Sequence, residues 1–271
     1  MTYNTKALGL AAALALAPMV ASAATVDITF QSFGSFNSSD FDKAGAIAAQ
    51  TIFMGSTRIG GAEDFEGFTN CPDATCASAD NTTPIVSSKV GDFYRIGGAS
   101  GSGNSQVAPT DKIVVRMNNP TNTFSRYDVV GGQNWLDSND HKGIRWEIPG
   151  SSGLSKVFKI AFFLTDVDDV RSVDFSIAVD DGTPGGSTLS PTISGIPTSG
   201  APDGELQLVT MLFSNPVDIL NIDMIAGSND GFGVDGIQVG TVPLPASALL
   251  LLGGLGGLGG MSALRRRTRA A

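Results

Sequence analysis

Between Thr25 and Gly240 the chain repeats one pattern: short runs of alternating apolar and polar side chains, separated by clusters of Gly, Asn, Asp, Ser and Pro. Successive side chains of an extended strand point to opposite faces, so a period of two predicts strands with one buried face. The runs are "TVDITFQSF" (25–33), "DKIVVRM" (111–117), "GIRWEI" (143–148), "VFKIAFFLTDV" (157–167), "SVDFSIAVD" (172–180), "ELQLVTMLF" (205–213), "DILNIDMIA" (218–226) and "GFGVDGIQVG" (231–240). "GDFYRIG" (91–97) and "SRYDVV" (125–130) fit the pattern less well. One stretch, "DFDKAGAIAAQTIF" (40–53), reads as helix with Asp40 as its N-cap. "GGASGSGNS" (97–105) and "DGTPGGSTLSPTISG" (181–195) read as surface loops. Strand follows strand without helical crossovers. This predicts antiparallel pairing and an all-β, jelly-roll-like antiparallel β-sandwich with one short helix near the N-terminus of the body. Residues 24–241 are expected to form it as a single domain.

Both ends depart from the pattern. Lys6 precedes an apolar run from Ala7 to Val20, followed by Ala21-Ser22-Ala23. A positive start, an apolar stretch too short to span a bilayer and small residues at the end predict a secretory signal peptide over residues 1–23. At the other end, residues 246–264 carry no charge. As a helix these 19 residues would reach about 28 Å, close to the roughly 30 Å of a hydrocarbon core. Six of them are glycine, each costing about 1 kcal/mol against Ala in a helix. The segment is a weak permanent anchor. Arg265, Arg266 and Arg267 follow it and would remain cytoplasmic, leaving the body outside.

Val242-Pro243-Leu244-Pro245-Ala246, then the apolar segment, then the arginines, resemble the VPLPA variant of the PEP-CTERM sorting signal. The resemblance covers residues 242–271 and implies a route rather than an activity. It implies a transient inner-membrane anchor, cleavage near the motif by an exosortase-type membrane transpeptidase, and release to the cell surface or matrix of an exopolysaccharide-making Gram-negative bacterium. Signal peptidase and the Sec translocon would act at the other end. The two prolines fix φ and withhold backbone donors, which keeps the motif extended just outside the bilayer.

Charge narrows the partners. Setting aside Lys6, Arg265, Arg266, Arg267 and Arg269 leaves the body with 12 basic residues against 26 acidic ones, a net charge of −14. Such a surface repels nucleic acid and attracts divalent cations. Cys71 and Cys76 lie five residues apart in "CPDATC". An exported chain meets an oxidising compartment, so the pair is expected to form a disulfide that stiffens one turn.

Three polar clusters are candidates for chemistry. "AEDFEGF" places Glu63, Asp64 and Glu66 early in the body, and "NDGFGVDGIQV" places Asp230 and Asp235 at the last strand. An early and a late acid meeting across one sheet edge would supply hard oxygens for a structural Ca²⁺, with Glu66 and Asp235 as the expected ligands. The alternative is solvated acids on turn residues. The third cluster, "RYDVVGGQNWLDSNDHKGIRW", holds both tryptophans. An aromatic ring offers a sugar its face while polar groups fix the hydroxyls, so Tyr127, Asn134, Trp135 and Asp137 are candidate glycan contacts. The alternative makes Trp146 and Tyr127 core residues of adjacent strands. "DSND" is not an EF-hand, because Lys142 and Ile148 stand where Gly and the bidentate carboxylate belong.

No nucleophile or metalloprotease motif accompanies the single histidine, His141. The expectation is an exported, non-catalytic cell-surface or matrix protein that binds or organises exopolysaccharide. A structural matrix protein without glycan recognition and a secreted glycan hydrolase are the alternatives. The hydrolase stays open because glycoside hydrolysis needs only two carboxylates.

Overall fold

The computed structural model of the protein describes residues 24–36, 38–69, 75–87, 89–99, 112–117, 126–139, 141–148, 154–167, 173–180, 186–189, 191–194, 204–226 and 231–242. The signal peptide (1–23), Cys71, the motif residues 243–246 and Arg265–Arg267 lie outside the described residues.

The architecture is the expected all-β one, with two sheets that share one strand. Sheet A runs β3 (Thr75–Ala79), β6 (Ile113–Met117), β7 (Asn134–Asp137), β14 (Gly233–Thr241), β9 (Val157–Thr165), β13 (Glu205–Ala226) and β1 (Val26–Ser35). β2 (Arg58–Glu63) pairs with β14, and β12 (Pro191–Ser194) lies parallel to β1. Sheet B runs β4 (Ile85–Ser87), β5 (Gly91–Ala99), β8 (His141–Glu147), β13 again, β10 (Val173–Asp180) and β11 (Ser187–Leu189). Among the described residues, every strand pairing except β1–β12 is antiparallel.

Two segments that the pattern separates, 205–213 and 218–226, are one 22-residue strand. Its first half pairs with β1 and β9 in sheet A, and its second half with β8 and β10 in sheet B. The register shifts between Leu212 and Val217, where the strand passes from one sheet to the other. A bulge bends a strand without ending it, and here it spans Ser214-Asn215-Pro216, which reads as a turn in sequence. The stretch 181–195, read as a loop, carries β11 and β12.

Alternation sorts the core. Ile160, Phe162 and Leu164 of β9 join Val209, Met211 and Phe213 of β13 between the sheets, with Phe93, Ile144, Trp146, Phe175, Ile177, Ile222 and Met224 from sheet B. The other side of the same strands, Ala161, Phe163, Leu206 and Leu208, is buried as well. Both faces of β9 are covered, which is why its sequence is apolar almost throughout.

The cover over that outer face of sheet A is helix α1 (Lys43–Met54) together with the segment 126–133. The helix begins at Asp42, whose carboxylate accepts from the Gly45 N–H at 2.8 Å. Asp42, rather than Asp40, is the N-cap. Ala46, Gln50 and Met54 recur at the four-residue spacing that puts them on one helix face, the one turned to the sheet. The Gln50 side-chain amide donates to the carbonyl of Gly236 at 2.6 Å.

Candidate functional site

The first part of the polar cluster singled out in the sequence, residues 126–133, is a strap lying over sheet A, fastened along its length by the side chains of Lys43, Glu66, Asp137, Asp166 and Asp235, while the rest of the cluster enters β7 and β8. At its start the Arg126 guanidinium donates to Asp166 at 3.1 Å from Nε and to Asp137 at 3.0 Å from Nη1. Tyr127 donates its hydroxyl to the Gly204 carbonyl at 3.2 Å. Its ring stacks on Phe36 (centroids 4.8 Å apart, 30°) and meets Phe41 edge-on. Lys43 of α1 donates to the Asp128 carboxylate and carbonyl at 3.0 and 3.1 Å. Asp235 accepts from the backbone N–H groups of Val129 and Val130. Glu66 accepts from those of Gln133 and Asn134, at 2.7 and 2.6 Å.

Two glycines make this approach possible. Gly236, beside a register shift of β14, has φ 59°, and a Cβ there would run into Val130 and Phe163. Gly132 has φ 149°, and a Cβ there would occupy the position of the Glu66 carboxylate. L residues with a side chain rarely adopt either conformation.

Beneath the strap is a buried ion-pair network. Asp137 is shared between Arg126 and Arg116, and Arg116 donates to Asn139 Oδ1 at 2.7 Å. Burial raises the Asp137 carboxyl, but Arg126 and Arg116, helped by the Asn139 N–H, outweigh it and hold the group below the usual carboxylate range. Asn139 and Asp166, both in this network, have positive φ (51° and 62°). A non-glycine residue holds that conformation only where its surroundings fix it, here through ion pairs and backbone contacts.

Two of the sequence-derived sites fall on residues that this geometry already engages or buries. Tyr127, Asn134, Trp135 and Asp137 are all buried, and Asn134 spends its amide on the carbonyls of Phe65 and Phe68. These four offer a glycan no exposed platform. Tyr127 and Asn134 donate to backbone carbonyls and Asp137 answers Arg116 and Arg126 instead, and Trp146 is likewise core, donating from Nε1 to the Val90 carbonyl at 2.8 Å. Glu66 and Asp235, the expected Ca²⁺ ligands, are engaged by other groups. Each is committed to backbone N–H donors, and no group of three or more His, Cys, Asp or Glu side chains able to hold a metal occurs among the described residues. Cys76 is disulfide-bonded in β3.

The outer face of sheet B is different. Phe93, Trp146, Ile144, Ile222, Met224, Phe175 and Ile177 point into the core, so their neighbours along each strand point outward. Register aligns these neighbours in rows. One is Tyr94–Arg145–Asp223–Ser176, and the next is Val86–Asp92–Glu147–Asn221–Ala178. The side chains of Tyr94, Arg145, Asp223, Asp92, Glu147 and Asn221 are half-buried, and the two rows lie about 7 Å apart and run roughly 14 Å across four strands. Arg145 clasps Asp223 with two hydrogen bonds of 2.8 Å, which raises the guanidinium's affinity for its proton. Burial, with Glu147 and Asp92 nearby, raises the Tyr94 hydroxyl, and burial raises Asp92. The alternation in "GDFYRIG" and "GIRWEI" already sets Tyr94, Arg145 and Glu147 opposite the core residues Phe93 and Trp146; only their union on one face needs the pairing.

No protein-family model matches the chain, and no curated protein matches it. Among solved structures the chain is similar to a cleaved adhesin domain of Lys-gingipain from Porphyromonas gingivalis, with 14% sequence identity, 62% of this chain and 100% of that one covered, and a TM-score of 0.26.

Proposed function

We propose that the protein is an exported, non-catalytic β-sandwich of the cell surface or extracellular matrix that binds a neutral glycan across the outer face of sheet B. It is delivered by the signal peptide and by an exosortase-type cut at the C-terminal motif. The observation that carries the binding half is the row Tyr94–Arg145–Asp223, flanked by Asp92, Glu147 and Asn221. An aromatic side chain gives a sugar ring an apolar platform, and the carboxylates accept from its hydroxyls. Asp92, Glu147, Asp174 and Asp223 against Arg145 make the face acidic, so an uncharged chain suits it and an anionic polysaccharide is repelled.

The test is retention of the secreted form on neutral polysaccharides. Binding that falls about fivefold or more in Tyr94→Ala supports the reading, since an aromatic contact is worth roughly 1 kcal/mol. No retention on any neutral glycan ends it. The mass of the secreted form tests the route, because one measurement reports both cuts.

A hydrolase reading rests on one observation. Asp92 and Glu147 are register partners on neighbouring strands, and burial raises Asp92; glycoside hydrolysis uses a pair of carboxyls, the acid member of which has a raised pKa. Release of reducing sugar that is abolished in Asp92→Asn would replace binding with catalysis.

A further inference from the structure

The end of the body where β14 runs out toward the C-terminal segment gathers four of the seven exposed large apolar side chains among the described residues. One cross-strand row there reads Asp27–Leu212–Lys159–Gly240–Ile59 through β1, β13, β9, β14 and β2. Beyond it Thr241 pairs with Arg58, and the Val242 N–H donates to the Lys156 carbonyl at 3.2 Å. The last turn of α1 joins this end, since Lys159 Nζ donates to the Phe53 carbonyl at 2.7 Å. Four large apolar side chains are exposed here: Ile52 (80%), Ile59 (43%), Val242 (41%) and Leu212 (38%). The charged groups among them are Arg58, Lys156 and Lys159 against Asp27, Asp218 and its register partner Asp180, with Lys156 paired to Asp218 at 2.7 Å. The charges balance here, in a body that carries −14.

The chain beyond this end is short. Three residues separate Val242 from Ala246, where the apolar segment begins, and fully extended the four steps span at most about 14 Å. We infer that this end, with Ile52, Ile59, Leu212 and Val242 and the cations Arg58, Lys156 and Lys159, is a membrane-facing surface that rests on an anionic lipid bilayer while the chain is tethered. The inference rests on residues 246–264 being embedded as the tether. So short a link holds the end within range of a charged surface, where each cation gains attraction and exposed apolar side chains find the interface. The acidic remainder of the body is repelled and turns outward, which orients the tethered protein with its motif beside the membrane.

The experiment uses the full chain reconstituted with vesicles of pure phosphatidylcholine and of phosphatidylcholine with one-third phosphatidylglycerol, read by vesicle flotation and by amide hydrogen exchange. Flotation with both, and exchange in residues 52–59 and 241–242 slowed about fivefold more on the anionic vesicles, supports the inference. In Arg58→Glu with Ile59→Ser that extra protection should vanish while flotation persists. Flotation with no local difference between the two lipids overturns the inference and leaves the tether intact. A chain that floats with neither vesicle removes the tether and the inference together.

Discussion

Asp235 holds the strap by its backbone: Oδ2 accepts from the Val129 N–H at 2.6 Å and the Val130 N–H at 3.1 Å, and Oδ1 from the Gly236 N–H at 2.7 Å. In Asp235→Ala three donors lose their acceptor in a buried setting, and an unpaired buried donor costs more than a hydrogen bond contributes. The expected loss is about 3 kcal/mol in urea denaturation. Asp235→Asn keeps one oxygen acceptor and should lose about 1 kcal/mol. Equal midpoints for wild type and Asp235→Ala would mean that the strap is held by other means.

The same carboxylate sets a pH dependence. Burial pushes Asp235 up to about 7, against the pull of its three N–H donors and with Asp128 adding to the rise. Its ordinary value is 3.8, so between about pH 4 and pH 7 the folded state binds the proton more readily than the unfolded one. Stability from this group is full below that window and is lost as pH rises through it, at up to about 1.4 kcal/mol per pH unit. Asp137 works the other way. Its depressed value contributes stability at neutral pH that is lost as the solution is acidified below about 4. Denaturation at a series of pH values should therefore show a decline from pH 4 to 7 in the wild type and a flattened curve in Asp235→Asn. Identical curves would rule out Asp235 as the titrating group.

Burial decides which ion pairs matter. Asp137 has no exposed side-chain surface and answers two guanidiniums. Asp137→Ala leaves Arg116 and Arg126 short of their shared counter-charge, and the expected cost is about 3–5 kcal/mol. Lys156–Asp218, with side chains 61% and 38% exposed, is solvated on both sides. Lys156→Ala should cost under about 1 kcal/mol. Thermal melting of the two variants side by side checks the contrast, and comparable losses would contradict it.

Much of this architecture is legible in the alternation of the chain. β1, β6, β8, β9, β10 and β14 lie where the period of two places them. The strands that the pattern misses are short or rich in glycine, as in β2, "RIGGAE", whose edge pairing to β14 compensates for weak propensity. The unity of β13 is hidden by Pro216, which ends a central strand in most contexts but stands exposed at the bulge between sheets. The site was harder to read. "RYDVVGGQNWLDSNDHKGIRW" does concentrate interactions, yet sequence cannot say whether a polar group serves a ligand or a distant part of the chain. Arg126 finds its carboxylates 11 and 40 residues away, and Val129 finds Asp235 106 residues away. Only the fold turns those acids inward.

Calcium offers a direct check on that conclusion. Glu66 and Asp235 would have to release four backbone amides between them, those of Val129, Val130, Gln133 and Asn134, to serve as ligands. The melting temperature in millimolar calcium and in excess chelator should therefore agree. A bound ion at a hundredfold its dissociation constant would add about 2.7 kcal/mol and raise the midpoint by several degrees. A rise of that size, lost in Glu66→Gln, would restore the metal site.

Gly132 and Glu66 should behave as one unit. At φ 149° the glycine leaves open the space that the Glu66 carboxylate fills while it accepts from Gln133 and Asn134. A methyl group in Gly132→Ala must displace that carboxylate, and the backbone conformation adds strain of its own, so the expected loss is about 2–3 kcal/mol. Glu66→Ala frees the space but abandons two amides, costing about 2 kcal/mol. Once Glu66 is gone the methyl group has less to displace, so the double variant should lose less than the sum of the singles, by at least 1 kcal/mol on the usual scale for contacting residues. Strictly additive losses in a denaturation cycle would show that Gly132 is required for its backbone alone and that its contact with Glu66 is incidental.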